Sequence, residues 1–128
     1  ANPLFSHVDK GLDQKCECSV ENCQVESTNG QVRVTGRFKS NQPVYGVVAY
    51  VDPKGNSDYD AQSYAGLVGT DDTFSIELSS LPESRAPGEI LIRLLNASGQ
   101  HLSATAASQV TFAYSLDANG RLEATKAQ

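Results

Sequence analysis

The chain has 128 residues, 39 % hydrophobic and 20 % charged, with a net charge of −5 from 15 acidic and 10 basic residues. That length suits one domain with a core of its own. The acidic balance and scattered basic residues argue against nucleic acid, whose phosphates need a basic face, and no apolar run approaches the roughly 20 residues of a membrane helix.

In chain order, Asn2 to Gly11 reads as one or two helical turns, with Asn2 as cap, Pro3 at the first helical position and Gly11 at the exit. Three cysteines follow close together: Cys16, Cys18 and Cys23. Residues 23–27 look like a first strand. Asn29-Gly30 is a hairpin signal leading into the clearest strand, Gln31 to Lys39, where Val32, Val34 and Phe38 share one face and Arg33, Thr35, Arg37 and Lys39 the other. Val44 to Val51 is apolar on both faces and belongs in the middle of a sheet. Gln62 to Val68 reads as a weaker strand at an edge. Three further strands follow. Phe74, Ile76 and Leu78 point inward on one, Ile90, Ile92 and Leu94 on the next, and Val110, Phe112 and Tyr114 on the last. Residues 102–107 are small-residue strand or loop, and Asp117 to Gly120 turns a short final hairpin into Arg121-Leu122-Glu123.

About seven strands at short spacing, with turn residues between them, predict an all-β, antiparallel Greek-key β-sandwich with a short N-terminal helical turn. The expected organisation is an N-terminal segment over residues 1–22, a sandwich over 23–115 and a hairpin or tail over 116–128. The chain begins at Ala1 and contains no methionine. It is therefore read as a processed or excised piece, with an extracytoplasmic location (secreted, periplasmic or cell surface).

The order Val34-Thr35-Gly36, Pro43-Val44-Tyr45-Gly46-Val47, Thr70-Asp71-Asp72-Thr73-Phe74-Ser75-Ile76, Leu81-Pro82 and Pro87-Gly88 resembles bacterial extracellular sandwich modules of the prealbumin-like, carboxypeptidase-regulatory type. It also resembles immunoglobulin-like and fibronectin-III-like modules. The likeness covers roughly residues 31–100. It departs from those modules in lacking a glycine in the turn before Phe74, in having Ile90 where a tyrosine is common, and in having no tryptophan. The resemblance implies a non-catalytic part of a secreted or surface protein and transfers no functional residue.

Several constellations bear on chemistry. The thiols of Cys16, Cys18 and Cys23, with His7, are of ligand type for zinc, but the spacing is not that of a CxxC knuckle. A disulfide from Cys23 to Cys16 or Cys18 is the preferred reading. Direct bridging of Cys16 to Cys18 is disfavoured, because neighbours two apart on an extended chain do not meet. Asp52, Asn56, Asp58 and Asp60, with Asp71 and Asp72, offer oxygens to calcium, yet Asp and Asn equally serve turns. Tyr45, Tyr50, Tyr59 and Tyr64 lie in or beside one loop region, and exposed aromatics stack on sugars or anchor proteins. Asn96-Ala97-Ser98 matches a glycosylation sequon. His7 and His101 sit in no catalytic motif and read as surface residues. The functional expectation is therefore a non-catalytic module that binds a protein or glycan through the loop holding Asp58, Tyr59, Asp60 and Tyr64. It uses no cofactor or metal, and is a monomer or a weak dimer through an exposed edge strand. A structural spacer, or a small metal-binding protein using the cysteines or the acidic loop, are the alternatives.

Overall fold

The computed structural model describes residues 14–28, 31–52, 62–78, 88–103, 109–116, 119 and 122–126. The expected helical turn at residues 2–11 lies outside them, as do Asp58, Tyr59 and Asp60. Among the described residues the strands are β1 (Gln14–Lys15), β2 (Cys18–Thr28), β3 (Gln31–Ser40), β4 (Gly46–Asp52), β5 (Gln62–Val68), β6 (Thr73–Leu78), β7 (Gly88–Leu95), β8 (Leu102–Ser103), β9 (Gln109–Leu116) and β10 (Leu122–Lys126). Eight of them run in the order β10-β9-β7-β4-β5-β6-β3-β2, all antiparallel. The β7-β4-β5-β6 stretch, in which β7 returns beside β4 after the β4-β5-β6 meander, is a Greek key. β1 and β8 form a separate parallel pair.

The ladder folds into two layers at β5. Residues 62–66 of this strand pair with β4, whereas Leu67 and Val68 pair with β6. The bend needs Gly66, because a Cβ there would collide with Ile76 Cγ1 and stand 2.7 Å from the Ser75 carbonyl oxygen. Strands that change sheets make the corners of sandwiches. β5 is thus a corner and not the edge expected for Gln62 to Val68. Among the described residues the edges of this sheet are β2 and β10, and these are the strands open there to edge-to-edge pairing with a second copy.

The layers close over one core. Val32, Val34 and Phe38 of β3 and Phe74, Ile76 and Leu78 of β6 face Val47, Ala49 and Val51 of β4, Ile90, Ile92 and Leu94 of β7, and Val110, Phe112 and Tyr114 of β9. β4 is buried on both faces, as its sequence requires. On its outer face Val48, Tyr50 and Leu95 form a second small cluster with Leu91.

β2 begins at Cys18, ahead of the expected start at residue 23, because a bulge interrupts its alternation. Glu21 opposes Arg37 and Gln24 opposes Thr35, so Asn22 and Cys23 together face Gly36. Asn22 takes φ 52° to absorb the extra residue, a conformation Asn tolerates better than most. Cys18 and Val20 point inward before the bulge, and Cys23 and Val25 after it.

The cysteine expectation is corrected. Cys16 is joined to Cys18, with Cα atoms 5.5 Å apart, and Cys23 is a free, partly buried thiol. Cys18 and Cys23 are five residues apart on one strand, about 16 Å at 3.3 Å per residue, beyond the reach of a disulfide. Cys16 and Cys18 meet because the chain between them is not extended. The Glu17 N–H donates to Asn41 Oδ1 and the Asn41 N–H donates to the Glu17 carbonyl, each at 3.0 Å.

Candidate functional site

The end of the sandwich predicted to bind is built from interior residues where it is described. Tyr64 packs half-buried against the core, and Asp52 is 1 % exposed. The Tyr114 phenol is pushed up to about 12 by burial, then by the charges of Asp52 and Tyr64. Of the four residues expected to form the site, the structure places only Tyr64, and it places it against the core. His101, read as a surface residue, is 3 % exposed and shares a 2.8 Å hydrogen bond through Nε2 with the Tyr50 hydroxyl, the rings meeting edge to face. Among the described residues no three His, Cys, Asp or Glu side chains gather to hold a metal ion. No helix there is long and apolar enough to cross a membrane.

A more open arrangement occupies the opposite end, where β3 passes to β4 and β7 turns toward β8. The Tyr45 N–H donates to the Leu95 carbonyl at 2.8 Å, which fixes the entry to β4 beside the end of β7. The turn after Leu95 is stiffened by Asn96. Its Oδ1 accepts the N–H groups of Ser98 and Gln100 at 3.0 Å, and its Nδ2 donates to Gln100 Oε1 at 3.1 Å. Gly99 supplies the left-handed residue of this turn, φ 79°. The Asn96 amide of the sequon is therefore already engaged in the turn.

Between these walls lies a groove of about 290 Å³, floored by Gly46 and Leu95 and walled by Tyr45 and residues 97–99. Tyr45 is 73 % exposed. Gly46 keeps the floor open, since a Cβ there would meet only Leu95 Cδ1, at 4.0 Å. Leu67, one residue beyond the last β4–β5 pair Val47↔Gly66, is 83 % exposed. An uncovered aromatic face beside an apolar floor, with peptide and hydroxyl groups on the rim, accepts a flat, partly apolar group such as a pyranose ring. Tyr45 was one of the four tyrosines, among five in the chain, that the sequence places in or beside one loop region. What the sequence did not show is that Tyr50 and Tyr64 turn into the protein while Tyr45 stays in water.

No protein-family model and no curated protein sequence matches the chain. Solved structures do. Wild type OgpA from Akkermansia muciniphila, in two crystal forms, matches at TM-scores of 0.62 and 0.64 with 25 % and 24 % identity, over 88 % and 90 % of this chain. Catalytic inactive OgpA in complex with an O-glycopeptide (glycodrosocin) substrate matches at 0.64 and 24 % over 89 % of this chain. The chain spans only about a third of OgpA, 31 % to 32 % of its length. The likeness bears out the sandwich-like all-β fold.

Proposed function

We propose that this chain is a non-catalytic accessory domain of an extracytoplasmic protein, and that it binds a glycan or the glycosylated part of a glycopeptide in the Tyr45 groove. The observation that carries the reading is the 73 % exposed Tyr45 ring standing over the apolar floor of Gly46 and Leu95. A ring left in water is open to stacking without leaving the core, and a tyrosine has few rotatable bonds to fix on binding. Two further observations support it. The likeness to OgpA covers a domain-sized share of a protein that takes an O-glycopeptide substrate. The Cys16–Cys18 disulfide suits an oxidising compartment.

Titration with an O-glycosylated peptide, its unglycosylated counterpart and the free glycan tests the reading. The glycosylated peptide is expected to bind best. Tyr45→Ala should abolish binding, and so should Gly46→Val, which fills the floor with a residue suited to a strand. Binding that is indifferent to both substitutions, or equal for the bare peptide, overturns the assignment and leaves a protein-docking or spacer role.

A further inference from the structure

A second depression, of about 350 Å³, lies on the other layer, where the β2 bulge, the outer face of β3 and the β5–β6 turn come together. We propose that it is a saccharide site, independent of the Tyr45 groove, in which Asn22, Arg37 and Asp72 hydrogen-bond the hydroxyls of a neutral sugar.

Three observations carry this. First, among the described residues no hydrogen bond or ion pair engages the Asn22 amide, the Arg37 guanidinium or the Asp72 carboxylate, although all three line the same hollow. Their neighbours are largely committed to one another, although the Arg37 charge also acts on Asp71. Thr73 Oγ1 donates to Asp71 Oδ1 at 2.6 Å, and Lys39 stands 3.7 Å from Glu21. Second, Asn22 and Asp72 are the two described non-glycine residues with left-handed backbones, φ 52° and 60°, and both line this one hollow. Such conformations cost free energy and persist where the surroundings enforce them. Here the bulge opposite Gly36 enforces one, and the Phe38 N–H donating to the Asp72 carbonyl at 3.0 Å enforces the other. Third, the three groups are planar. The backbones that carry them are fixed by a paired sheet and a bonded turn, so the three groups project from set points around the hollow.

The chemistry selects the ligand. Arg37 and Lys39 face Glu21, Asp71 and Asp72, so the hollow carries mixed charge with no strong net sign. An anion would gain at Arg37 and Lys39 and lose at three carboxylates, and a cation would meet the reverse, so neither gains much. A ligand whose hydroxyls each donate and accept satisfies guanidinium, carboxylate and amide together. The volume lies at the lower end for small-ligand sites, which fits one or two sugar rings.

The test is an amide-resolved NMR titration of the full chain with methyl glycosides of galactose, glucose and N-acetylgalactosamine, with glucuronate as the anionic comparator. A neutral glycoside is expected to shift the Asn22, Lys39 and Asp72 amides saturably. Arg37→Ala, at an exposed position, and Asp72→Asn, which keeps a residue tolerant of the left-handed backbone, should each weaken this by about tenfold or more. Tyr45→Ala should leave it unchanged while erasing any shifts at residues 95–99, so the two sites fail separately. The proposal is overturned if no neutral glycoside moves these amides, if glucuronate binds in preference, or if both variants bind as the parent does.

Discussion

Phe74 lays its ring against the backbone of Gly36. A Cβ on Gly36 would stand 2.5 Å from Phe74 Cζ and 2.8 Å from its Cε2. The two residues are paired across β3 and β6, directly opposite the β2 bulge. The ring therefore takes the space in the inward row of β3 between Val34 and Phe38 that a side chain would fill. Gly36→Ala is expected to cost about 1–3 kcal/mol, the usual range for overpacking. The cost should shrink when combined with Phe74→Leu, whose shorter side chain leaves room. Urea denaturation of the single and double variants measures this coupling, and strictly additive losses would show that the two residues do not compete for one space.

A second prediction concerns Cys23. Burial pushes its thiol from 9.0 up to about 12, with the charge of Lys126 opposing. Between those values the folded chain keeps a proton that the unfolded chain releases. Stability is therefore fully present below about pH 9 and falls as pH rises toward 12. The Cys23 share of the loss is on the order of 2–3 kcal/mol, below what the whole shift would give, because the residue keeps some solvent contact. Cys23→Ala should flatten that part of the fall, and Tyr114, shifted in the same direction, should account for some of what remains. A thiol reagent is expected to label Cys23 much more slowly in the native chain than in the unfolded one, and equal rates would contradict its partial burial.

The strands that alternate without interruption were readable from residue types alone. Val32, Val34 and Phe38, then Phe74, Ile76 and Leu78, then Ile90, Ile92 and Leu94, all face the core as their period requires. The first half of β2 was hidden, because the bulge at Asn22 shifts the inward phase from Cys18 and Val20 to Cys23 and Val25. The corner at β5 was hidden for another reason: alternation reports faces, not which strand lies alongside, so Gln62 to Val68 read as an edge. Two-residue β1 and β8 carry too few side chains for any pattern. For the candidate site, Tyr45 was visible but undistinguished from Tyr50 and Tyr64. Its exposure depends on the hydrogen bond from its N–H to Leu95 and on a turn fifty residues away, neither of which is local in sequence.

A third prediction uses the Tyr50–His101 pair. The hydroxyl and Nε2 share their hydrogen bond in a setting where neither residue is more than 9 % exposed. Tyr50→Phe preserves the edge-to-face ring contact and removes only the hydroxyl, leaving a buried ring nitrogen without this partner. A loss of about 1–3 kcal/mol is expected. Because His101 also accepts the Gln14 N–H through its carbonyl, faster amide exchange at Gln14 should accompany the loss. If Tyr50→Phe is as stable as the parent, the bond contributes nothing net.

The last prediction concerns the N-terminal clasp. The disulfide between Cys16 and Cys18 encloses only Glu17, so it constrains the unfolded chain little, by about 1.5 kcal/mol or less in the loop-entropy account. What it does hold is local. The Gln14 and Cys16 N–H groups donate to the His101 and Ser103 carbonyls at 2.8 and 3.0 Å, and Asn41 grips Glu17 by both backbone groups. Reduction with a dithiol should therefore leave the cooperative melt of the sandwich within a few degrees of its starting value. It should also speed exchange at Gln14 and Cys16, as a low-stability unit opens without the rest. Asn41→Ala should produce the same local exchange with the disulfide intact, since it removes one of the two hydrogen bonds that bend the chain. A large drop in the melting temperature on reduction would mean that β1 and β8 are integral to the core, and that the sandwich does not stand without its parallel pair.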